Sequence, residues 1–493
     1  MLVNRTVYAL SMTPDFPLWS NQFAAHAHRL RRTLGPSLHQ FEALFSRWIP
    51  AFRLAQQDEG DHSRQRLWSL RLVFWTFLWQ VAQTGAACRE AIRQAQALAI
   101  ASGQHPPPDE ASPYCQARGK LPLERLDEIH QGLVTEAQAA LATKDLWCGL
   151  RVHVADGSTV TLPDTPANQK AYPQQSVQKP GCGFPILRLV ALFCLATGFL
   201  SAWATGNWHQ HELTLLQLLW VHLRPGEVLL ADRGFCSWGL LAQCQRRHIH
   251  AVFRVRGSRR TDFRRGQRLS KDERLVTWTK PALRPKTVEQ AEWSLLPAQL
   301  TLRVVRCQLR IPGFRTQQVV LVTTLLASVQ YPPAALSALY LRRWEMELTL
   351  RHLKTTLQME HLSCLSPENI ERELRFHLLV HNLVRRLMLE AARRHGVPLT
   401  RVSFAGAMAA ARRTAEALLQ VRRQRQRRKL MDELYRVLAA DLVPERPGRR
   451  EPRAIKRRPK PYPRLMRHRR SFREISHQNR YYKNSRFGRK YRK

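Results

Sequence analysis

The stretch that decides the fold is residues 340–354, which read YLRRWEMELTLRHLK. It has no proline or glycine and is rich in Leu, Arg, Glu and Met, so its composition predicts a helix. At about 100° per residue, one polar stripe about 80° wide then carries Tyr340, Arg343, Glu347, Arg351 and Lys354. The apolar residues beside this stripe are expected to seat the helix on a core, namely Leu339, Met346, Leu350, Leu353 and Leu357. Glu347 is the one acid of the stripe, and we expect other acids of the chain to meet it there.

The charge of the chain predicts a polyanionic partner. Its 493 residues include 79 Lys+Arg against 37 Asp+Glu, a net charge of +42, and a field of this size attracts nucleic acid. An anionic membrane would attract this positive charge too, but the sequence offers no amphipathic anchor. Its most apolar stretch, residues 72–81, is too short to span a bilayer. We therefore expect a polyanionic partner and no membrane; a nucleic acid as that partner would give a cytoplasmic, nucleoid-associated location.

The cysteines indicate the same compartment. There are nine of them, scattered and without a CxxC pair. This spacing argues against a zinc site or a disulfide framework and fits a reducing cytosol.

Residues 1–145 are predicted to form a helical N-terminal region. Residues 64–102 have the pattern of one long amphipathic helix, and residues 124–143 of a second. Between them residues 104–120 are proline-rich and are predicted to be a loop. Such a region can bind DNA or can simply pack on the core, and the sequence leaves both interpretations open.

The pattern changes after residue 150, where short β-rich segments alternate with helices. Residues 151–162, 186–197 and 200–206 are predicted strands, followed by a helix, a strand ending at Asp232, a helix and a strand over 250–255. Three adjacent strands followed by βα units predict an α/β fold with a mixed, RNase-H-like sheet. We assign this catalytic core to residues 146–256 and 328–395.

Residues 257–327 interrupt the core, and three further predicted strands make them a β-rich insertion. Residues 396–444 are expected to be a helical C-terminal region. From residue 421 to the end there are 27 Lys+Arg against 6 Asp+Glu, and we expect residues 445–493 to be a basic, disordered tail that neutralises phosphates.

Three acids are the candidates for chemistry. Asp156 lies in a predicted strand, Asp232 ends another, and Glu347 is on the helix predicted over 340–354; in an RNase-H-like sheet these places converge at one edge. Like charges a few ångströms apart need cations, and Mg²⁺, with Mn²⁺ as the alternative, takes oxygen ligands and can serve phosphodiester displacement. Each acid alone is explained as well by a turn, a cap or a helix ion pair, so the combination carries the hypothesis.

The spacing of Tyr340, Arg343, Glu347 and Lys354 resembles, without departure, the Tyr-Arg-Glu-Lys signature of the "IS-four" group of bacterial insertion-sequence transposases. The segments VADGSTVTLPDTPANQKAYP, QKPGCGFPILRLVALFCLATG and LLADRGFCSWGLL look like the regions of that group's two aspartates. The resemblance covers roughly residues 85–395 and implies a DDE transposase. Asp156, Asp232 and Glu347 would be its metal-binding catalytic triad.

The resemblance also implies an enzyme that binds the ends of an insertion sequence, cleaves them and joins them to target DNA, expected to act as a homodimer on DNA. Tyr340, Arg343 and Lys354, with Arg351 beside them, would hold phosphates. Trp278 and Trp293 in the insertion are candidates for stacking on an extruded base, or for plain β-domain core. The alternatives are an inactive DNA- or RNA-binding descendant and a structure-directed nuclease on the same core.

Overall fold

The computed structural model describes residues 39–55, 67–83, 85–101, 103–179, 181–256, 259, 261–309, 317–444 and 471. The basic tail predicted over residues 445–493 thus lies, apart from Ser471, outside the described residues. The α-helices of the described part are α1 (Gln40–Phe45), α2 (Leu70–Ala82), α3 (Cys88–Ala101), α4 (Ala111–Gly119), α5 (Leu123–Ala139), α6 (Pro166–Ala171), α7 (Glu212–Gln217), α8 (Trp238–Arg246), α9 (Gln290–Ser294), α10 (Pro333–Arg351), α11 (Pro367–His395), α12 (Phe404–Gln420) and α13 (Gln424–Ala440).

The strands form one mixed sheet. They are β1 (Val152–Thr161), β2 (Ile186–Cys194), β3 (Leu200–Asn207), β4 (Val228–Ala231), β5 (His250–Arg254), β6 (Gln267–Ser270), β7 (Glu273–Thr279), β8 (Gln299–Leu309) and β9 (Gln317–Thr323). Their order is β3-β2-β1-β4-β5-β9-β8-β7-β6. β1, β4 and β5 are parallel, and the other pairs are antiparallel. The first five strands have the order and directions of an RNase-H-like core, which confirms the predicted α/β class.

The strands of the predicted insertion extend this core sheet. β9 pairs antiparallel with β5, with Val252 opposite Thr323, and β8, β7 and β6 follow outward. Three of these strands are predicted from the sequence, but β6 and the short helix α9 are not. The insertion is therefore joined to the core through continuous backbone hydrogen bonds.

The register of the central strands sets the level of the site. Ala155 of β1 lies opposite Ala231 of β4, which lies opposite Phe253 of β5. The next residue on each strand points to the other face, because side chains alternate along a strand. These residues are Asp156, Asp232 and Arg254.

The face that they share is the one covered by α10, which carries Tyr340, Arg343 and Glu347 of the Tyr-Arg-Glu-Lys signature and is called the signature helix below. Val154, Leu230 and Val252, two positions back along each strand, join the core cluster that also contains Leu336 and Leu339 of α10. Ala155, Ala231 and Phe253 join the opposite cluster with α7 and α8. The signature helix thus lies over the row that begins at Asp156.

The signature helix starts earlier and ends earlier than the sequence predicts. It begins at Pro333, with the fixed φ of proline suited to a first turn, and ends at Arg351; His352–Thr356 then form a turn of π-helix. The five apolar residues predicted to seat it are all buried, so that prediction is confirmed. Because a π turn is wider than an α turn, Lys354 does not keep the angular position derived from 100° per residue.

Two predictions for the N-terminal region were wrong. The described part of residues 64–102 forms two helices, α2 and α3, because Gly85 between them has a φ of +76°, a left-handed backbone that does not continue a helix. The segment predicted as a loop contains α4, because after the prolines it offers helix formers and buries Tyr114 and Arg118. Pro113 is tolerated there because the first turn of a helix does not use its N–H groups.

The described N-terminal helices pack on the core. Phe74 and Phe77 of α2 lie with ring centroids 5.2 Å and 4.4 Å from that of Phe376 in α11. A DNA-binding role for this region stays a prediction. Among the described helices, none combines the length and apolarity that crossing a bilayer requires.

Candidate active site

Asp156 and Asp232 lie side by side at the edge where β1 and β4 end their pairing. Neighbouring strands are about 4.8 Å apart, so the two carboxyl groups are within a short distance of each other. Asp156 Oδ1 accepts a hydrogen bond from the N–H of Gly157 (2.9 Å), and Asp232 Oδ1 accepts one from the N–H of Gly234 (2.7 Å). One oxygen of each aspartate is thereby fixed, and the other can bind a ligand.

The glycines next to these aspartates leave room for carboxylate side chains of the site. A Cβ on Gly157 would lie 2.6 Å from the carboxyl carbon of Glu212, and a Cβ on Gly234 would lie 2.9 Å from Asp232 Oδ1. Both distances are shorter than real Cβ contacts allow. A side chain at either glycine would therefore displace a carboxylate of the site, Glu212 or Asp232.

Glu347 approaches the aspartates from α10, in an ion pair with Arg343. Arg343 Nη2 lies 2.6 Å from Glu347 Oε1, and the side chains are 11% and 46% exposed. The guanidinium carbon is 5.7 Å and 5.9 Å from the ring centroids of Tyr340 and Trp344. Tyr340 is itself buried, with 2% exposure, so it contributes a wall and a phenol beneath the arginine.

The carboxylates are close enough to influence one another. Burial raises the pKa of Asp156 to about 6, against an ordinary value of 3.8. The Arg343 guanidinium and the Gly157 N–H oppose this rise, while Asp232 and Glu347 add to it. Asp156 is thus held in a partly desolvated, acid-rich place where its proton is retained to higher pH than usual.

The pKa values of Tyr340 and Arg343 respond to the charges of the same acids. Burial raises the pKa of Tyr340. The charges of Arg343 and Arg254 oppose this rise, and the charge of Asp232 adds to it. Burial alone would lower the pKa of Arg343, but Tyr340, Glu347 and Asp156 raise it above its ordinary value. Arg343 therefore stays charged between the acids and the tyrosine.

The donor set suits a hard cation, although the groups do not converge as a closed cage. The three acids supply only oxygen ligands, which Mg²⁺ and Mn²⁺ accept. Within the described residues, no three His, Cys, Asp or Glu side chains are arranged closely enough to hold a metal ion. The sheet brings Asp156 and Asp232 together, and Glu347 remains in its ion pair with Arg343.

Comparison with known proteins identifies the family. A family model described as a transposase DDE domain matches residues 147–383. The transposase InsG for insertion sequence element IS4, from Escherichia coli (strain K12), is 30% identical over 326 residues, which cover 64% of this chain and 70% of that protein. The chain belongs to the IS4 family of DDE transposases. It is thus a transposase, of an enzyme class that cuts and transfers DNA.

A solved structure of the piggyBac transposase synaptic complex with hairpin DNA also aligns with the transposase. The alignment has a TM-score of 0.40 and 9% identity and covers 81% of this chain and 84% of that chain. A likeness this low carries no argument about the fold or the function of the transposase.

The two tryptophans of the insertion have different surroundings. Trp293 is 7% exposed, and its ring centroid lies 5.4 Å from that of Trp238 in an edge-to-face pair. Its burial favours the alternative of a β-domain core residue, and stacking on an extruded base stays a prediction for it. Trp278 is half-buried with the Arg259 guanidinium 3.8 Å above its ring, and stacking on a base stays a prediction for it.

The remaining basic candidates lie at the far end of the signature helix. Arg351 is exposed at the last position of α10, and Lys354 is half-buried in the π turn. Both follow Glu347 along the chain, so they extend the row of basic residues past the acids. Contact with phosphate stays a prediction for both.

Sequence reasoning missed two arginines at the end of β5. Arg254 lies at the level of the aspartates and acts on Tyr340. Arg256 Nε and Nη2 donate to the carbonyl oxygens of Arg233 (3.1 Å) and Gly234 (2.7 Å), which pins the turn that carries Asp232. The alternation of residues in the predicted strand over 250–255 could have placed Arg254 on the face of Asp232, had the register been known.

Proposed function

We propose that this transposase binds the ends of an insertion sequence and carries out Mg²⁺-dependent strand cleavage and strand transfer with Asp156, Asp232 and Glu347. The observation that carries the proposal is the pair of aspartates abreast on the sheet, under the helix that holds Glu347. Bound Mg²⁺, or Mn²⁺ in its place, would act as a Lewis acid on a phosphodiester and lower the pKa of an attacking water. Asp156 and Asp232 would hold it, with Glu347 completing the set once it leaves Arg343.

The residues around the acids suit a DNA backbone. The Arg343 side chain is mostly buried, and its Nε lacks a hydrogen-bond partner among the described residues. A phosphate oxygen can accept from such a guanidinium and compensate the charge that Glu347 leaves behind. Lys354 and Arg351 would continue the contact along the strand, and Tyr340 would fix Arg343 from below.

We infer that double-stranded DNA, as element ends and as target, is the substrate of the transposase in the bacterial cytoplasm. The net charge of +42 supports this, since counterion release from phosphates favours binding. Joining two ends requires two active sites in one complex, which favours a homodimer on DNA. The core assigned to residues 146–256 and 328–395 would hold the chemistry, and the basic residues beyond 445 would add nonspecific affinity.

A cleavage and joining assay separates the candidate functions. The full-length chain is incubated with DNA carrying the ends of its own element, a target plasmid, and Mg²⁺, Mn²⁺, Ca²⁺ or EDTA. Joined products that need Mg²⁺ or Mn²⁺ would support the proposal, and nicks without joining would favour the nuclease. Band shifts alone, equal with and without metal, would favour the inactive binder.

A further inference from the structure

A cavity of about 610 Å³ opens between the N-terminal helices and the segment that follows the signature helix. Its lining includes thiols from three separate parts of the chain: Cys88 at the start of α3, Cys115 in α4, and Cys364 before α11. Arg118 of α4 lies among them and is 8% exposed. None of the three proposed catalytic acids borders this cavity, so it is separate from the candidate active site.

The sulfur atoms form one connected group. Cys115 Sγ lies 3.8 Å from Cys88 Sγ, and Gln80 Nε2 donates to Cys88 Sγ at 3.7 Å. Arg118 donates from Nη1 to Cys88 Sγ (3.7 Å) and from Nη2 to Cys364 Sγ (3.1 Å). Among the described residues, no carboxylate forms an ion pair with Arg118, so its acceptors are sulfur atoms and the Gln80 oxygen.

This environment separates the two neighbouring thiols chemically. The pKa of Cys88 is lowered from 9.0 to about 5, chiefly by the hydrogen bond from Cys115 and further by Arg118 and Gln80, against the effect of burial. The pKa of Cys115 is raised, first because it donates that hydrogen bond and second because it is buried. The hydrogen bonds that Gln80 and Arg118 donate to Cys88 Sγ favour the thiolate at Cys88, with Cys115 as the thiol beside it.

We propose that Cys88 and Cys115 are a redox-active pair that a hydroperoxide converts to a disulfide within the folded transposase. A disulfide needs an S–S distance of about 2.05 Å, so the sulfur atoms must approach by less than 2 Å from their separation of 3.8 Å. Rotation of the two side chains into the cavity supplies that movement. A soft metal ion is the poorer occupant, because the Arg118 cation already lies against two of the sulfurs.

The chemistry balances with the peroxide as the oxidant. The Cys88 thiolate attacks one peroxide oxygen, the O–O bond breaks, and hydroxide leaves while Cys88 becomes a sulfenic acid. Cys115 then attacks the Cys88 sulfur, its S–H proton joins the departing hydroxyl, and water leaves as the S–S bond forms. Two thiols are oxidised by two electrons, and one hydrogen peroxide becomes two waters once the first hydroxide takes a proton.

Forming this disulfide would change the contact between the N-terminal helices and the core. The disulfide would tie α3 to α4 and remove one of the sulfur acceptors of Arg118. The other sulfur acceptor, on Cys364, belongs to the segment that leads from the π turn to α11. The pair thus lies where oxidation alters the support of that segment without touching the acids.

Peptide mapping of the full-length protein tests the pair. The folded chain is treated with a small excess of hydrogen peroxide, blocked with iodoacetamide in denaturant, and digested without reduction. We expect a Cys88–Cys115 linked peptide that dithiothreitol removes, while Cys148, an exposed thiol, stays fully alkylated as the internal control. The proposal would be overturned if the linked peptide is absent at every peroxide dose up to the one that begins to oxidise Cys148.

Two further measurements protect the test against variants that fail to fold. In the untreated wild type at neutral pH, iodoacetamide should modify Cys88 at least tenfold faster than Cys148; equal rates would contradict the thiolate assignment. Cys115→Ser should leave Cys88 as a sulfenic acid that dimedone traps, whereas Cys148→Ser should form the disulfide like the wild type. A disulfide to a different cysteine in the wild type would count against the pair.

Discussion

Two Arg–Glu pairs of the transposase have similar lengths and opposite surroundings. In the signature helix Arg343 lies 2.6 Å from Glu347, with side chains 11% and 46% exposed. In the extended part of the sheet Arg303 lies 2.9 Å from Glu273, with side chains 0% and 1% exposed. The distance between the charges therefore does not distinguish them, and the difference is in what completes each pair.

The buried pair is completed by the protein. Ser328 Oγ donates to the second Glu273 oxygen at 2.6 Å, and Arg303 Nη1 donates to the carbonyl oxygen of Tyr331 at 2.8 Å. These partners lie just before α10, so the pair ties β7 and β8 to the start of the signature helix. Such a pair supports structure, because removing either member would leave an uncompensated buried charge.

The open pair is left incomplete. Within the described residues, the Glu347 carboxylate receives its hydrogen bond from Arg343 alone, and nearly half of its surface faces solvent. Asp156 and Asp232 lie nearby, each with one fixed oxygen. Because its carboxylate is half-exposed and has spare acceptor positions, Glu347 can exchange Arg343 for a cation at little cost.

The largest expected effect comes from the open pair. Glu347→Gln should lower single-turnover cleavage roughly 10³-fold or more, because it removes a charged ligand of the proposed metal site. Its urea-unfolding free energy should change by no more than about 1 kcal/mol, because Glu347 is nearly half exposed and Asp156 remains near the charge of the mostly buried Arg343. Band-shift affinity for element ends is the control and should persist. Cleavage within tenfold of the wild type would remove Glu347 from the proposed triad.

The buried pair should show the reverse pattern. Glu273→Gln is expected to lower the free energy of unfolding by about 3–5 kcal/mol, because the Arg303 charge stays buried without its partner. Urea unfolding measures this, with Glu416→Gln on the exposed pair to Arg413 as the control that should change little. The double variant Glu273→Gln with Arg303→Met should recover part of the loss. A stability loss below 1 kcal/mol in the single variant would mean that the pair is not structural.

The contrast also shows what the sequence could predict. The periodicity of residues 340–354 was enough to predict the helix and its buried leucines, because both depend on neighbours three or four residues away. β1 to β5 and the sheet class could be predicted because alternation and β-branched or apolar composition are also local along the chain. Asp156 and Asp232 could be expected at one edge because parallel neighbours of an RNase-H-like sheet end together.

The rest depended on pairing between distant segments. Helical angles alone did not say which side of the stripe faces the sheet, so the burial of Tyr340 was not foreseen. The meeting of Arg303 with Glu273 follows from the register of β7 against β8, and the level of Arg254 follows from the register of β4 against β5. The π turn after Arg351 and the meeting of Cys88 with Cys115 likewise have no local signal.

A smaller effect is expected at Asp156 in the absence of metal. Its folded-state pKa, raised to about 6, lies above the ordinary value of 3.8. The folded protein therefore binds this proton more tightly than the unfolded chain, and stability falls as the pH rises from about 4 to about 6. Asp156→Asn removes that loss. In EDTA at pH 7.5 it should raise the unfolding free energy by on the order of 1–2 kcal/mol, discounted for partial exposure.

Urea unfolding across pH checks this sign. The gain of Asp156→Asn over the wild type should shrink toward zero below about pH 4, where the wild-type carboxyl is neutral in both states. The gain should also shrink when Mg²⁺ is added, because only the wild type has the Asp156 carboxylate and would be stabilised by binding the cation there. A gain that is the same at pH 4 and pH 7.5 would trace the effect to packing rather than charge.

The smallest effect tests whether the open pair needs a guanidinium or merely a positive charge. Arg343→Lys keeps the charge beside Glu347 and Asp156 but loses the planar group near the rings of Tyr340 and Trp344. We expect single-turnover cleavage to fall about three- to tenfold with binding to element ends unchanged, because a lysine donates from one point and cannot hold Glu347 and a phosphate together. Arg351→Lys, an exposed residue of the same helix, is the matched control and should stay within about twofold. If both variants lose the same activity, the stripe acts by charge alone. The open pair would then differ from the buried pair only in burial, and the shape of the Arg343 guanidinium would have no role.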